Sequence, residues 1–294
     1  MEPGFKTRLA DCHVGVIGLG LMGGSLALAL KDACRSISGY DADSTTLAQA
    51  LERGIIQFPI DLRGAEVDLL ILGVPISAIL DWLDRTPTVF SGEFHLLDLG
   101  STKTQIVERM QTLPDRISPL GGHPMCGKES SGISAAAADL YQGCVFALTP
   151  LLRTRASTLQ IAQDLIAALS ARALTLDPQQ HDRAVAAISH LPYLSAVTLM
   201  DVGLSLDDHV AWMLAASGFR DTSRLAASDV TMLLDILKSN RVEVLNVLDH
   251  ARVSWQETIE LIKREDWLAL RTKLEAVREK RICWEKTKRV TDTE

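Results

Sequence analysis

The chain has 294 residues, 47% hydrophobic and 23% charged, with a formal net charge of −7 at pH 7. That length suits two modest domains, and the composition excludes a disordered chain. The acidic balance and the lack of a long Lys or Arg run exclude nucleic acid as the main partner, because neutralising phosphates takes a basic face. An anionic substrate would have to be held by a few placed cations against an unfavourable field.

The N-terminal MEPGFKTRLADCH has no apolar signal core, and the apolar stretches are strand-length or amphipathic, so no membrane span is expected. Five dispersed cysteines, Cys12, Cys34, Cys126, Cys144 and Cys283, form no CxxC pair. They read as reduced thiols of a cytoplasmic protein.

In chain order, short apolar runs at 14–17, 37–40, 67–74, 96–99, 117–120, 145–148 and 173–176 predict strands. Segments 25–31, 45–53 and 157–170 predict helices between several of them. This alternation predicts an α/β fold, a Rossmann-type doubly wound parallel sheet. VDLLILGV is apolar throughout and suits a strand covered on both faces. After Asp177-Pro178 the pattern changes: Trp255, Ile259 and Ile262, then Leu270, Leu274 and Val277, recur at helical spacing, and no strand is expected. The predicted division is a dinucleotide-binding domain over 1–177 and an all-helical substrate and dimerisation domain over 178–294.

HVGVIGLGLMGGSLALAL places Gly18-x-Gly20-x-x-Gly23 after a strand and before a helix, so Gly18, Leu19, Gly20, Leu21, Met22 and Gly23 form the candidate pyrophosphate turn. Gly18 permits the turn, Gly20 lets the backbone approach the phosphates and Gly23 lets helix and strand pack closely. The helix N-terminus adds free N–H groups and a positive dipole end. Asp41, ending the second strand, suits the ribose hydroxyls of NAD and would repel the 2′-phosphate of NADP. Asp41 is also placed to cap the next helix, as are Asp43 and Ser44. Val74 and Pro75 end a further strand and line the adenine–ribose side.

Two more strand ends are polar. LLDLGSTK presents Ser101, Thr102 and Lys103 at a helix start, where Ser is also a routine N-cap. PLGGHPMCGKESSG puts His123 in a glycine-rich loop after a strand, a position suited to catalysis beside a nicotinamide. His123 and Cys126 have no further ligand cluster around them, so no metal is expected.

GLGLMGGSLALAL, DLGSTK, GGHPMCGKESSG, ISHLPY and SGFRDTSRLA, in this order and over nearly the whole chain, resemble the motif series of the prephenate/arogenate dehydrogenases. The resemblance implies NAD-dependent oxidative decarboxylation of a cyclohexadienol to an aromatic ring, on the route to tyrosine. It makes His123 the base at the ring hydroxyl, gives Ser101 the positioning of hydroxyl and nicotinamide, and adds His190 as a second polar group. It makes Arg224 the carboxylate-binding residue, with a planar fork that suits a bidentate contact. Arg220, four residues earlier, either shares that face or pairs with a neighbouring Asp. Lys128 and Glu129 flank the substrate entrance. A homodimer through the helical domain is also implied.

The chain departs from the family pattern at Val230 and Leu233, where Pro and Trp are frequent, and at Cys126, where Ala is common. The short stretch beyond Trp284 leaves no appended regulatory domain expected. Two alternatives stay open at this level. A β-hydroxyacid dehydrogenase would need a catalytic lysine in the helical half, where Lys238 is the only lysine between residues 178 and 262. A non-catalytic NAD sensor would show a degraded catalytic loop.

Overall fold

A computed structural model of the protein describes residues 4–128, 130–206 and 209–291, with side chains described to residue 287. Eight strands form one sheet: β1 (His13–Ile17), β2 (Ser36–Tyr40), β3 (Phe58–Pro59), β4 (Leu69–Leu72), β5 (Phe94–Asp98), β6 (Ile117–Pro124), β7 (Val145–Pro150) and β8 (Arg172–Thr175). Their order is β3-β2-β1-β4-β5-β6-β7-β8. β4 and β5 are buried at every position, as strands covered on both faces should be. Helices α1 (Leu21–Leu30), α2 (Ser44–Glu52), α3 (Ile76–Val89), α4 (Thr104–Met110) and α5 (Ala156–Ala168) connect the strands. Two apolar clusters result. Leu26 and Phe146 belong to one, Leu72 and Ile106 to the other.

From β1 the chain runs outward to β2 and β3, then returns to lay β4 on the other side of β1. This reversal opens a crevice beyond the carboxyl ends of β1 and β4, where doubly wound folds take their ligands.

Two details of the sheet differ from the reading of the sequence. β3 was not expected; it is a two-residue edge pairing with β2 that includes a proline, too short to show a period. β7 runs antiparallel to β6. Among the described residues only the short 3₁₀ turn Ile133–Ala135 lies between them, and the chain returns alongside β6. α5 then provides the crossover that makes β7 and β8 parallel.

No strand follows β8 among the described residues. α6 (Pro178–Val185), a single π-helical turn (Ala186–His190) and α7 (Leu191–Ser205) run on continuously, followed by α8 (His209–Leu214), α9 (Ser217–Ser223) and α10 (Val230–Ser239). The run Pro178–Ser205 is long and apolar enough to cross a membrane by length and composition, which corrects the expectation that no such stretch exists. Its buried His181, Asp182 and His190 are hydrogen-bonded to groups from the sheet and from the end of α10, which marks it as a helix packed on protein. The described residues form two compact units, the first closing at Arg241 and the second opening at Val242. The second comprises most of α11 (Arg241–Lys263) and α12 (Trp267–Thr291), joined by Lys273 Nζ donating to Ser254 O at 3.0 Å and Glu257 Oε2 at 3.1 Å.

Candidate active site

The turn after β1 is built by steric exclusion. Gly18 has φ 88°, and a Cβ there would lie 2.6 Å from the Gly73 carbonyl oxygen. A Cβ at Gly23 would overlap the Gly18 carbonyl oxygen, so the first turn of α1 sits directly on β1. Beside Gly20, by contrast, a Cβ would meet nothing within 4 Å. Gly20 also offers α1 no side-chain cap. The backbone at Gly20 therefore borders open space at an uncapped helix start, as a pyrophosphate cradle requires.

Asp41 follows β2. Its Oδ2 accepts from Leu19 N at 2.8 Å and its Oδ1 from Asp43 N at 2.9 Å. The helix-cap alternative falls to Asp43, whose carboxylate accepts from Thr45 N and Thr46 N. Asp41 thus braces the glycine turn, and its two oxygens keep lone pairs for a diol. Val74 and Pro75 follow β4 at the same crevice, Val74 half-buried and Pro75 exposed.

Deeper in the sheet, β5 ends at Asp98, which is fully buried and paired with the equally buried Lys103. Lys103 Nζ also donates to Gly122 O at 2.6 Å, while Asp98 accepts from Gly100 N at 2.8 Å and Gly122 N at 3.1 Å. Burial pulls the Lys103 ammonium below its usual range, and Asp98 opposes that shift. The pair fixes the backbone immediately before His123, and Ser101 is half-buried in the same turn.

From His123 a chain of hydrogen bonds leads to α6. His123 Nδ1 lies 2.8 Å from His181 Nε2, and His181 Nδ1 lies 2.8 Å from Asp182 Oδ1. Asp182 also accepts from Lys103 N at 2.7 Å and Thr104 N at 2.8 Å. Burial would raise the Asp182 carboxyl, but hydrogen bonds from His181, Thr104 and Lys103 outweigh it and hold it below the usual range. Asp182 is therefore ionised and accepts the His181 Nδ1–H. His181 Nε2 is then a lone pair, so His123 Nδ1 carries the proton and His123 Nε2 is left as an acceptor. Burial first, then His181 and Lys103, push His123 well below the ordinary histidine value, which keeps it neutral at pH 7.

His190 ends the π-helical turn and is 2% exposed. Asn240 Nδ2 donates to Asp182 O at 2.8 Å, and since that carbonyl can only accept, the amide orientation is fixed. The same Nδ2 lies 3.3 Å from His190 Nδ1. His190 Nδ1 is thus the acceptor, and its proton sits on Nε2. Burial drops the His190 pKa to about 4, against the pull of Asp182. The two histidines end in opposite polarities, His123 offering a lone pair and His190 an N–H.

The structure places the remaining expected residues less centrally. Arg220, in α9, is exposed and pairs with Asp221 at 3.3 Å, the bland alternative for that residue. Arg224 opens the turn Arg224–Ala227, which packs on α7, the helix that continues from His190. Lys128 is exposed, and Glu129 lies outside the described residues. Leu233 is 7% exposed and belongs to the apolar cluster that includes Ile76 and Ile79. His181, Asp182, Asn240 and the Asp98–Lys103 pair were not singled out from sequence. The available signal was the His-Asp dipeptide opening an otherwise amphipathic helix. Among the described residues no group of three or more His, Cys, Asp or Glu side chains is placed to hold a metal ion.

Two family models match the chain: "Prephenate dehydrogenase, nucleotide-binding domain" over residues 26–175 and "Prephenate dehydrogenase, dimerization domain" over residues 177–276. The chain is 34% identical to a prephenate dehydrogenase of Lactococcus lactis over 266 residues, covering 87% of this chain and 72% of the relative. Among solved structures it is similar to Synechocystis arogenate dehydrogenase, with TM-score 0.81, 30% identity and coverage of 92% and 99% of the two chains. It is also similar to a prephenate dehydrogenase from A. aeolicus solved with hydroxyphenyl propionate and NAD+, with TM-score 0.85, 28% identity and coverage of 92% and 97%.

Proposed function

The chain belongs to the prephenate dehydrogenase family, and on that premise we propose that His123 is the base at the ring hydroxyl, with His181 and Asp182 setting its tautomer. The enzyme catalyses the NAD-dependent oxidative decarboxylation of prephenate or arogenate, giving 4-hydroxyphenylpyruvate or tyrosine in tyrosine biosynthesis. Family membership sets aside the β-hydroxyacid dehydrogenase and the non-catalytic sensor.

The open face at Gly20, the uncapped N-terminus of α1 and the carboxylate of Asp41 fit a dinucleotide, with Leu19, Leu21, Met22, Val74 and Pro75 around it. Held there, NAD would supply the hydride acceptor for the ring carbon that bears the hydroxyl. His123 Nε2 takes the hydroxyl proton, and the imidazolium so formed is stabilised through His181 by the Asp182 carboxylate. His190 Nε2–H donates to a substrate oxygen, and Ser101 orients the hydroxyl. Loss of the ring carboxylate as carbon dioxide completes the aromatic ring. Arg224 holds a substrate carboxylate with a two-pronged contact; Arg220 and Lys128 are exposed, as Arg224 is, and Glu129 is assigned to the entrance.

The observation that carries the reading is the His123–His181–Asp182 chain, because its polarity leaves a neutral lone pair on His123 Nε2. The test is turnover of the purified enzyme with prephenate and with arogenate, each with NAD. Reduced nicotinamide and carbon dioxide are expected to appear in equal amounts, and neither substrate reducing NAD would overturn the assignment.

We further place the functional division near residue 178, supported by the change from one family model to the other between residues 175 and 177. The helical half pairs two copies around a two-fold axis. Exposed Trp255, Trp267, Leu268 and Leu274 in α11 and α12 support this, as does the dimerization model. Five free thiols support a cytoplasmic location.

A further inference from the structure

We propose that Cys126 and Cys144 form a reversible disulfide site at the root of the β6–β7 connection, oxidised by a small-molecule disulfide such as oxidised glutathione. The register carries the argument. β6 and β7 pair antiparallel with Pro124 opposite Phe146, and Met125 N continues the ladder by donating to Val145 O at 2.8 Å. Cys126 and Cys144 are the residues that adjoin this last ladder bond, and Cys126 N turns back to donate to Pro124 O at 2.9 Å. Disulfides span Cα separations of roughly 4.4–6.8 Å, a reach that suits two residues each one step from an opposed, hydrogen-bonded pair.

Both side chains pack against the apolar cluster that holds Phe146 and Leu148. His123 lies on the sheet face opposite to those two residues. Both cysteines are half-buried, and their thiols are in hydrogen-bond contact. Cys12, by contrast, is fully buried, and Cys34 donates to the carbonyls of Leu30 and Ser36.

The roles within the pair are unequal. The hydrogen bond from Cys126 pulls the Cys144 thiol below its usual range, with burial opposing and Arg172 assisting. The same hydrogen bond, with burial, pushes the Cys126 thiol up. Cys144, with the Arg172 guanidinium assisting its thiolate, is assigned the attack and Cys126 the resolution. Cys144 Sγ attacks one sulfur of oxidised glutathione, and a glutathione thiolate leaves. Cys126 Sγ then attacks Cys144 Sγ, the second glutathione leaves, and the Cys126 proton passes to it. Two protein thiols become one disulfide, and one glutathione disulfide becomes two thiols.

The test treats the reduced full-length enzyme with oxidised glutathione, blocks remaining thiols with iodoacetamide and maps the peptides by mass spectrometry. A Cys126–Cys144 cross-link within one chain is expected, reversed by dithiothreitol, with Cys12, Cys34 and Cys283 outside it. In Cys126→Ala, which keeps a small side chain at a half-buried position, a glutathione adduct should accumulate on Cys144 for want of the resolving thiol. Undiminished alkylation of both Cys126 and Cys144 after oxidation would overturn the proposal. So would an adduct on Cys144 that persists in the wild-type enzyme to the same extent as in Cys126→Ala.

Discussion

His123 Nδ1 lies 2.8 Å from His181 Nε2, so the residue at the end of β6 takes its protonation pattern from a residue of α6. Asp182, itself fixed by the backbone N–H groups of Lys103 and Thr104, is the origin of that pattern. A single carboxylate of α6, held by N–H groups at the start of α4, thereby determines which nitrogen of His123 is basic.

Replacing His123 by Asn should lower kcat by roughly 10²- to 10⁴-fold, the usual cost of losing a general base. His181→Leu leaves the base in place but removes the acceptor that sets its tautomer. A loss of about ten- to a hundred-fold is expected, in the range of other supporting-shell substitutions. His181→Gln, whose side-chain oxygen still accepts from Nδ1, should recover part of it. Steady-state kinetics and NAD titration separate the effects: kcat falls in each variant while NAD affinity holds. A His181→Leu enzyme with wild-type kcat would remove His181 from the mechanism.

The depressed histidines predict an acid-sensitive fold. His190 titrates at about 4 in the folded enzyme against an ordinary 6.5, and His123 is also lowered. Between those values the unfolded chain binds a proton that the folded chain does not, so acid favours unfolding. This contribution is fully present above pH 6.5 and is lost as pH falls toward 4. Urea melts across that interval should show stability dropping with pH, with a shallower slope in His190→Asn. Equal slopes for the two proteins would contradict the burial argument.

Much of this site is legible in the chain because motif residues sit at strand ends. Gly18, Asp41 and His123 each follow a recognisable apolar run, and position after a strand is itself information. His181 and Asp182 were not legible in the same way. They read as polar residues of a helix, and the partner that gives His181 meaning is 58 residues away. Asn240 is 50 residues from His190 and ends a helix, where Asn is unremarkable. The reversed direction of β7 was hidden because side-chain alternation is the same for either strand direction. Leu233, a departure from the family's frequent Trp, is turned by α10 into the apolar core.

The proposed preference for NAD over NADP rests on Asp41. Asp41→Asn keeps an oxygen for Leu19 N–H, and so preserves the glycine turn, while removing the negative charge. Its kcat/KM with NADP should rise, and the NAD-over-NADP ratio should fall by about tenfold or more, the scale of one charged hydrogen bond. An unchanged ratio would place cofactor discrimination elsewhere.

The homodimer is checked by light scattering at micromolar protein, where a mass of twice the 32.1 kDa chain is expected. A single 32.1 kDa species would leave the apolar surface of α11 and α12 without the proposed role.

The carboxylate contact gives the sharpest test of how an acidic protein holds an acidic substrate. The net charge of −7 makes long-range attraction poor, so recognition must be local. Arg224 opens the turn packed on α7, and its guanidinium presents two parallel donors where an ammonium presents a point charge. A charged hydrogen bond of this kind is worth about 1.5–3 kcal/mol. Arg224→Ala should therefore raise KM by roughly ten- to a hundred-fold, with a smaller fall in kcat. NAD affinity should stay unchanged, because the cradle at Gly20 and Asp41 uses no residue of that turn. Arg224→Lys should recover only part of the loss. Arg220→Ala should change KM much less, since Arg220 is exposed and already paired with Asp221, and exposed pairs contribute little. An unchanged KM for both prephenate and arogenate in Arg224→Ala would move the carboxylate contact away from Arg224, and a large KM effect in Arg220→Ala would move it to Arg220.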